Sequence, residues 1–296
     1  MSAVAVPNPS PATSEAPPDR PMPLRFSKMQ GAGNDFVVLD ARAGAAPGPE
    51  ACAALADRHF GVGCDQVMIV LPPRSPGSVA AYAVVNADGS AARQCGNGAR
   101  CVAAWLHRDG TLADAGVLDG PSGPVPVRRA GDGSFEVDLA IPDFDPAALP
   151  VIGARQAGDG LHLCVDGLDV TFGAVAVGNP HVVIEVAEVV DAPVDLAFAL
   201  QAHPAFPDGC NVGFVQVLAP DRLRLRVIER GVGETLACGS GACAAHAWLR
   251  RGGRIAADSR IELPGGTLGV RWQGDAGEPL RLRGPATFVF EGTLTP

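Results

Sequence analysis

Three features of the 296-residue sequence predict an α+β fold of two pseudo-symmetric halves, each a mostly antiparallel β-sheet curled around a central helix, with a cleft between them. A cysteine and glycine helix start occurs twice, as CGNGARCVAAWL from Cys95 to Leu106 and as CGSGACAAHAWL from Cys238 to Leu249. Shorter motifs repeat in the same order at nearly the same displacement. Only four helical segments stand among many short strand-like runs, too few for an alternating β/α/β plan.

The repeat can be followed along the chain. GNDFVVL at Gly33 to Leu39 returns as GNPHVVI at Gly178 to Ile184, displaced by 145 positions. GCD at Gly63 to Asp65 returns as GCN at Gly209 to Asn211, displaced by 146, and the helix starts are displaced by 143. Aligning Cys95 to Gly110 with Cys238 to Gly253 gives 9 identities in 16, more than shared alanine supplies, so the halves are read as a duplication.

Taken in order, the first 23 residues hold seven prolines and almost no large apolar side chain. Nothing there offsets the entropy of ordering the backbone, so residues 1–22 are read as a disordered tail, and deleting residues 1–21 is expected to leave activity intact. Each half then opens on a short β-branched strand, followed by an alanine-rich helix near Glu50 to His59 or Asp195 to His203. Strands follow at Val67 to Leu71 and Val79 to Val85, and at Gly213 to Leu218 and Leu223 to Ile228. The last of these alternates Leu and Arg, as a strand with one wet face does. A polar, glycine-rich turn delivers the cysteine to a helix ending near Asp109-Gly110 or Gly252-Gly253. Both of these helices are apolar nearly all round, which marks them as central, with Trp105 and Trp248 as core anchors. Phe135 to Leu139, Arg260 to Leu263 and Thr287 to Phe290 supply further strands. Proline, aspartate and alanine replace the strand pattern over Pro142 to Pro150, which sets the boundary between halves.

Composition removes several functional classes. Neither a secretory signal nor a charge-free stretch of about 20 residues is present, so a soluble cytoplasmic protein is expected. The eight cysteines are too sparse for a disulfide scaffold and include no C-x-x-C, so reduced thiols and no metal are expected. A net charge of −9 without a basic cluster argues against a nucleic-acid partner. Lys28 is the only lysine, which removes nearly every candidate for a pyridoxal phosphate Schiff base. Gly61-Val62-Gly63 lacks the full spacing and β/α context of a nucleotide loop, so no cofactor is expected.

The duplicated helix starts carry the chemistry. Gly96 and Gly98, like Gly239 and Gly241, permit tight turns and close approach of backbone amides to a ligand. The unpaired N–H groups of a first helical turn bind a carboxylate and favour thiolate over thiol. A cleft between the halves would present Cys95 and Cys238 to opposite faces of whatever binds there, an arrangement suited to inverting a stereocentre. One sulfur begins as base and the other as acid, while amides at Gly96, Asn97, Gly239 and Ser240 hold the substrate carboxylate and stabilise charge developing toward an enediolate. Competing readings are a disulfide between Cys95 and Cys238 and a zinc site of Cys95, Cys101, Cys238 and Cys243, whose spacing is wider than compact zinc patterns. The other six cysteines are read as packing.

Polar residues crowd the same strand ends: Asn34, Gln66, Asn86, Asn179, His181 and Asn211, with Glu229-Arg230 upstream of Cys238. Glu229 can accept hydrogen bonds from a substrate ammonium, and Arg230 can clamp a remote carboxylate in bidentate fashion. Blander readings stand beside these. Glu229 and Arg230 could be a surface ion pair, Asn34 and Asn179 could bond their own turns, and His181 is either a neutral donor near substrate or a packed supporting residue.

Together QGAGNDF from Gln30, GVGCDQ from Gly61, NADGSAARQCGNGARC from Asn86, GNPH from Gly178, NVGFV from Asn211 and ERGVGETLACGSGAC from Glu229 resemble the diaminopimelate epimerase family, and the likeness runs from Pro23 to the C-terminus. The resemblance implies interconversion of LL- and meso-2,6-diaminoheptanedioate by a thiolate and thiol pair, here Cys95 and Cys238, without a cofactor. It implies that Asn34, Asn86, Asn179, Asn211 and Arg230 hold the non-reacting end of this small diamino diacid. Gln66 would line the cleft, Glu229 would contact the reacting amino group, and the loops from Gly96 and Gly239 would cup the reacting carboxylate. It also implies a homodimer and a last strand returning to the first domain, giving domains of 23–142 plus 285–296 and of 143–284. The sequence departs from the family pattern at Gln30, where histidine is frequent, and at Ala176-Val177, where methionine-serine is frequent. The alternatives are a related racemase acting on a proline-type substrate, which has no need of the distal clamp, and a non-catalytic binding module, which would tolerate loss of either thiol.

Overall fold

The computed structural model describes residues 24–145, 149 and 151–294. The tail expected over residues 1–22, the last two residues of the chain and part of the segment Pro142 to Pro150 lie outside the described residues.

The first half runs through β1 (Leu24–Gly31), β2 (Asn34–Asp40), α1 (Pro49–Ala56), β3 (Gln66–Leu71), β4 (Ala80–Asn86) and β5 (Ala91–Ala92). It continues with α2 (Gly96–Arg108), β6 (Ala115–Gly120), β7 (Gly123–Arg129) and β8 (Phe135–Asp138). The second half has β9 (Arg155–Ala157), β10 (Gly160–Val165), β11 (Leu168–Ala176), β12 (Pro180–Glu185), α3 (Val194–Ala202) and β13 (Asn211–Ala219). After these come β14 (Arg222–Glu229), β15 (Gly233–Thr235), α4 (Gly239–Arg251), β16 (Asp258–Leu263), β17 (Gly266–Arg271), β18 (Arg281–Gly284) and β19 (Thr287–Leu294).

Pairing repeats with the sequence. In the first half β1 pairs with β2, β2 with β3, β3 with β4, β4 with β6, β6 with β7 and β7 with β8. The second half repeats this path from β11 through β12, β13, β14, β16 and β17 to β18. Even the parallel exceptions correspond: β2–β3 and β4–β6 in one half, β12–β13 and β14–β16 in the other. The halves join where β8 pairs antiparallel with β18. At the outer edges, β10 flanks β11 while β19, arriving from the C-terminus, flanks β1.

Burial explains why the parallel pairs form where they do. Alternate residues of β2 and β3 enter different cores: Phe36, Val38, Met68 and Val70 face the central core, whereas Val37, Leu39, Val67 and Ile69 pack with Cys52 and Leu55 of α1. In the second half Val183 and Val215 face the central core, and Val182, Ile184, Val212 and Phe214 pack with Leu200 of α3. Strands covered on both faces need continuous apolar runs, which is what VVL and VVI provide. By contrast, β14 buries Leu223, Leu225 and Val227 while Arg222 and Arg224 remain exposed.

The central core is shared, for it contains α2 residues such as Cys101, Val102 and Leu106 and α4 residues such as Ala244, Ala247 and Leu249. Trp248 is 5% exposed, donates to the Asp159 carbonyl at 3.2 Å and fills the space over Gly173, where any Cβ would collide with the indole. Trp105 differs from the expectation. It is half-buried, donates to Ser27 Oγ at 3.1 Å and carries the Arg42 guanidinium over its ring, so it seals an edge more than it anchors the core.

Two more differences have clear causes. Strand β1 precedes the β-branched strand expected to open the first half, and its apolar pattern is broken by Lys28, a buried cation bonded to Asp35 and to the Gly63 carbonyl. Helix α1 stops at Ala56 because Asp57 turns the chain, its carboxylate accepting from His59 N–H at 2.7 Å and Phe60 N–H at 2.8 Å.

Candidate active site

Cys95 and Cys238 are the N-caps of α2 and α4, the residues at which extended backbone becomes helical. The helix starts abut, since a Cβ added to either Gly96 or Gly239 would lie 2.7 Å from the same Leu282 methyl. A Cβ at either position would have to displace that methyl, so glycine keeps the approach close. Cys95 Sγ accepts the Gly98 N–H at 3.4 Å and lies 3.7 Å from Asn34 Oδ1. Cys238 Sγ lies 3.6 Å from Ser240 Oγ.

Asn97 crosses the seam. Its Nδ2 donates to Asn34 Oδ1 and to the carbonyl of Ala237, both at 3.3 Å, tying the first helix start to the residue before Cys238. The Asn34 turn comes from Ala32 and Gly33, both at positive φ, and Gln30 Oε1 accepts the Gly33 N–H at 2.9 Å, so the glutamine that departs from the family pattern serves as a turn brace. Asn34 Nδ2 donates to Asp65 Oδ2 at 2.7 Å, and Arg58 holds both Asp65 and Asp35. Burial alone would raise Asp35, but hydrogen bonds from Arg58 and Lys28 outweigh it and bring the carboxyl down to about 2.

Glu229, at the end of β14, is near enough for its charge to act on both sulfurs. Burial pushes the Cys95 thiol up to about 11, with the Gly98 N–H and the Arg100 charge opposing and the Glu229 charge adding. Burial and then Glu229 raise Cys238 well above the ordinary thiol range. Thr235 Oγ1 donates to Glu229 Oε1 at 2.6 Å and fixes the carboxylate, a role set by the pairing of β15 with β14 and not signalled locally in the sequence.

The remaining expected residues form two further groups. Gln66 and Asn86 are cross-strand neighbours, with Gln66 Nε2 donating to Asn86 Oδ1 at 2.9 Å. In the second half His181 pairs in register with Asn211, His181 Nε2 meets Asn179 Oδ1 at 2.9 Å, and Asn211 bonds the Pro180 carbonyl and the Arg230 N–H. His181 is 1% exposed and burial pulls it down to about 3, so it is a packed neutral residue that orients Asn179. Arg230 is exposed and its guanidinium bonds the Asp208 carbonyl, so no ion pair with Glu229 forms. A cavity of about 270 Å³ at the seam is lined by Gln94 and Gly178, the residues directly before Cys95 and Asn179, together with Leu139 and Val177.

The competing cysteine readings do not match this arrangement. All eight thiols are free. Among the described residues no group of three or more His, Cys, Asp or Glu stands close enough to share an ion, so the four-cysteine zinc set is not assembled. Cys64 and Cys210 lie in the outer cores, across the sheets from the sulfur pair, and burial pushes them up to about 11 and about 12.

Comparison with known proteins agrees with the motifs. The profile of the family described as diaminopimelate epimerase matches residues 26–140 and 173–289. The chain is 57% identical over 272 residues to the diaminopimelate epimerase of Xanthomonas euvesicatoria pv. vesicatoria (strain 85-10), covering 91% of this chain and 95% of that one. It is 55% identical over 273 residues to that of Xylella fastidiosa (strain M12), covering 91% and 96%. Among solved structures, a hydroxyproline epimerase from Agrobacterium vitis superposes with a TM-score of 0.68 at 16% identity, covering 93% and 94%. A phenazine biosynthesis protein of the PhzF family from Bacillus anthracis superposes with a TM-score of 0.66 at 14% identity, covering 92% and 99%. These two likenesses concern the fold alone. The chain belongs to the diaminopimelate epimerase family.

Proposed function

We propose that the chain interconverts LL- and meso-2,6-diaminoheptanedioate by moving the α-proton between Cys95 and Cys238, with no cofactor as electron sink. The observation that carries this reading is the placement of two N-cap cysteines on abutting helix starts, both under the charge of Glu229.

Glu229 couples binding to activation. In the free protein its negative charge helps to hold both thiols protonated. A substrate ammonium docked on Glu229 neutralises that repulsion and adds a positive charge beside the sulfurs, so the bound state favours a thiolate that the free state does not. The substrate carboxylate sits on the N–H groups of Gly96, Asn97, Gly239 and Ser240, which gain strength as negative charge moves onto its oxygens. One sulfur removes the proton from one face and the other returns a proton to the opposite face.

The distal amino-acid end takes Asn34, Asn86, Asn179, Asn211 and Arg230, with Gln66 lining the cleft and His181 fixing Asn179. Release of Arg230 from the Asp208 carbonyl frees it for the far carboxylate. Among the described residues no helix is long and apolar enough to cross a membrane, and we place the protein in the cytoplasm as a homodimer. Domains of 23–142 plus 285–296 and of 143–284 complete the reading, with β19 paired to β1 in its support.

The test is incubation of purified reduced protein with LL-diaminopimelate in deuterated water. Formation of the meso isomer carrying α-deuterium is expected. Turnover of hydroxyproline with no reaction of the diamino diacid would replace this reading with the proline-type alternative.

A further inference from the structure

Arg100 lies inside the central core at 0% exposure, a full positive charge in the otherwise apolar stretch Gly98 to Leu106 of α2. Among the described residues no carboxylate pairs with it. Its terminal nitrogens donate to Asn97 Oδ1 at 2.9 Å and to the Gly96 carbonyl at a long 3.5 Å, and its Nε has no partner. The site is built for the group. A Cβ on Gly284 would come within 3.0 Å of the guanidinium and one on Gly31 within 3.3 Å, so two glycines from distant parts of the chain leave it room. The displacement of 143 that sets Cys238 against Cys95 sets Cys243 against Arg100, so the second half has no counterpart of this cation.

A buried charge left without a counter-ion is strongly destabilising, and guanidinium holds its proton even where burial lowers its affinity, as it does here. The acidic groups whose charges Arg100 feels are thiols: Cys101, Cys95 and Cys243. Cys101 and Cys243 are fully enclosed in the central core at 0% exposure, and burial pushes both thiols up. Cys95 is half-buried and caps the helix. The charged and titratable groups around it are Arg100 and Glu229, with Cys101 and Tyr82 behind and Cys238 on the abutting helix start.

We infer that Arg100 is a positioning residue for the sulfur pair, the fixed counter-charge of the Cys95 thiolate and the clamp that orients the Asn97 carboxamide across the seam. By taking Asn97 Oδ1, Arg100 dictates that Nδ2 points to Asn34 and to the Ala237 carbonyl. The cation therefore serves the first sulfur by charge and the second by geometry. This rests on the reading of Cys95 as a proton carrier.

The test follows alkylation of the reduced protein by iodoacetamide from neutral to alkaline pH, read at the Cys95 peptide by mass spectrometry, with kcat and KM measured for Arg100→Gln and Arg100→Lys. Arg100→Gln is expected to move the Cys95 midpoint up by about one pH unit or more and to lower kcat about tenfold or more with KM little changed. Arg100→Lys keeps the midpoint and recovers only part of kcat, because a single ammonium does not reproduce the planar grip on Asn97. A folded Arg100→Gln protein with wild-type midpoint and kcat overturns the inference. If Arg100→Gln does not fold, Arg100→Lys decides: a retained midpoint with lowered kcat supports the role, and a midpoint that moves up despite the ammonium overturns it. Alkylation needs no substrate, so a wild-type protein inert toward the diamino diacid would remove the proposed function while the midpoint shift still reported on Arg100.

Discussion

The surroundings of Cys95 and Cys238 share a backbone and differ in charge. Behind Cys95 the turn bearing Asn34 is held by Lys28, Asp35, Arg58 and Asp65, and Arg100 lies beneath. On the other side the corresponding positions are nearly neutral: Asn179 rests on uncharged His181, Asn211 on a carbonyl, and Ser240 and Cys243 stand where Asn97 and Arg100 stand in the first half. Glu229 approaches both sulfurs, and its carboxylate is the strong charge on Cys238. The two helix starts thus share their cysteine and glycines, while the cation Arg100 lies beneath the first alone.

The largest effect tests whether both sides are needed. Cys95→Ala and Cys238→Ala are each expected to reduce isomerisation by about 10²- to 10⁴-fold while far-UV circular dichroism stays native. A folded variant with wild-type kcat/KM at either position would break the paired-sulfur account. Next in size is a packing contrast between the same halves. Trp248→Ala should cost about 3–5 kcal/mol in urea unfolding, because the indole fills a fully enclosed space. Trp105→Ala should cost less, about half as much, since its ring is only partly buried. Equal losses would mean the two central helices are anchored alike.

Glu229→Gln sharpens the electrostatic contrast. Losing a charged hydrogen-bond acceptor for the ammonium should lower kcat/KM by about 10- to 100-fold. The same change removes the charge that holds the thiols protonated, so alkylation of both cysteines at mildly alkaline pH should speed up. Slower alkylation in the variant would reverse the sign assigned to Glu229.

The smallest effects are graded with pH. The thiols of Cys64, Cys95, Cys101, Cys210 and Cys243 are pushed up from an ordinary 9.0 to about 11 or about 12 in the folded protein. Above pH 9 the unfolded chain releases these protons before the folded one does, so stability falls with rising pH between 9 and 11. In acid, His181 and His246 are pulled from 6.5 down to about 3 and about 4, so the unfolded chain takes up protons first and stability falls as pH drops below 6.5. Each group contributes a limiting slope of about 1.4 kcal/mol per pH unit. Urea midpoints should form a plateau between the two flanks, and a midpoint still rising at pH 10 would contradict the thiol burial.

Much of this was legible in the chain. The doubled Cys-Gly-x-Gly helix starts, the β-branched runs and the alternating Leu and Arg of β14 carry their periodicity locally, and all appear as the corresponding elements. Strand β1 was hidden because Lys28 occupies a buried position that only its tertiary partners justify. Thr235 gained its role from a hairpin register, and Arg100 was visible as one arginine in an apolar helix while its burial depended on Gly31 and Gly284. The Gly63 carbonyl that takes Lys28 and the glycines that make room for Arg100 are distant along the chain, and that distance is what local patterns do not encode.

The most direct test of the central claim is a crystal structure of the reduced protein with the diamino diacid bound. The Cys95 and Cys238 sulfurs are expected on opposite faces of one α-carbon, each about 3–3.5 Å away, with the amino group on Glu229. Both sulfurs on one face, or either one remote from that carbon, would contradict it.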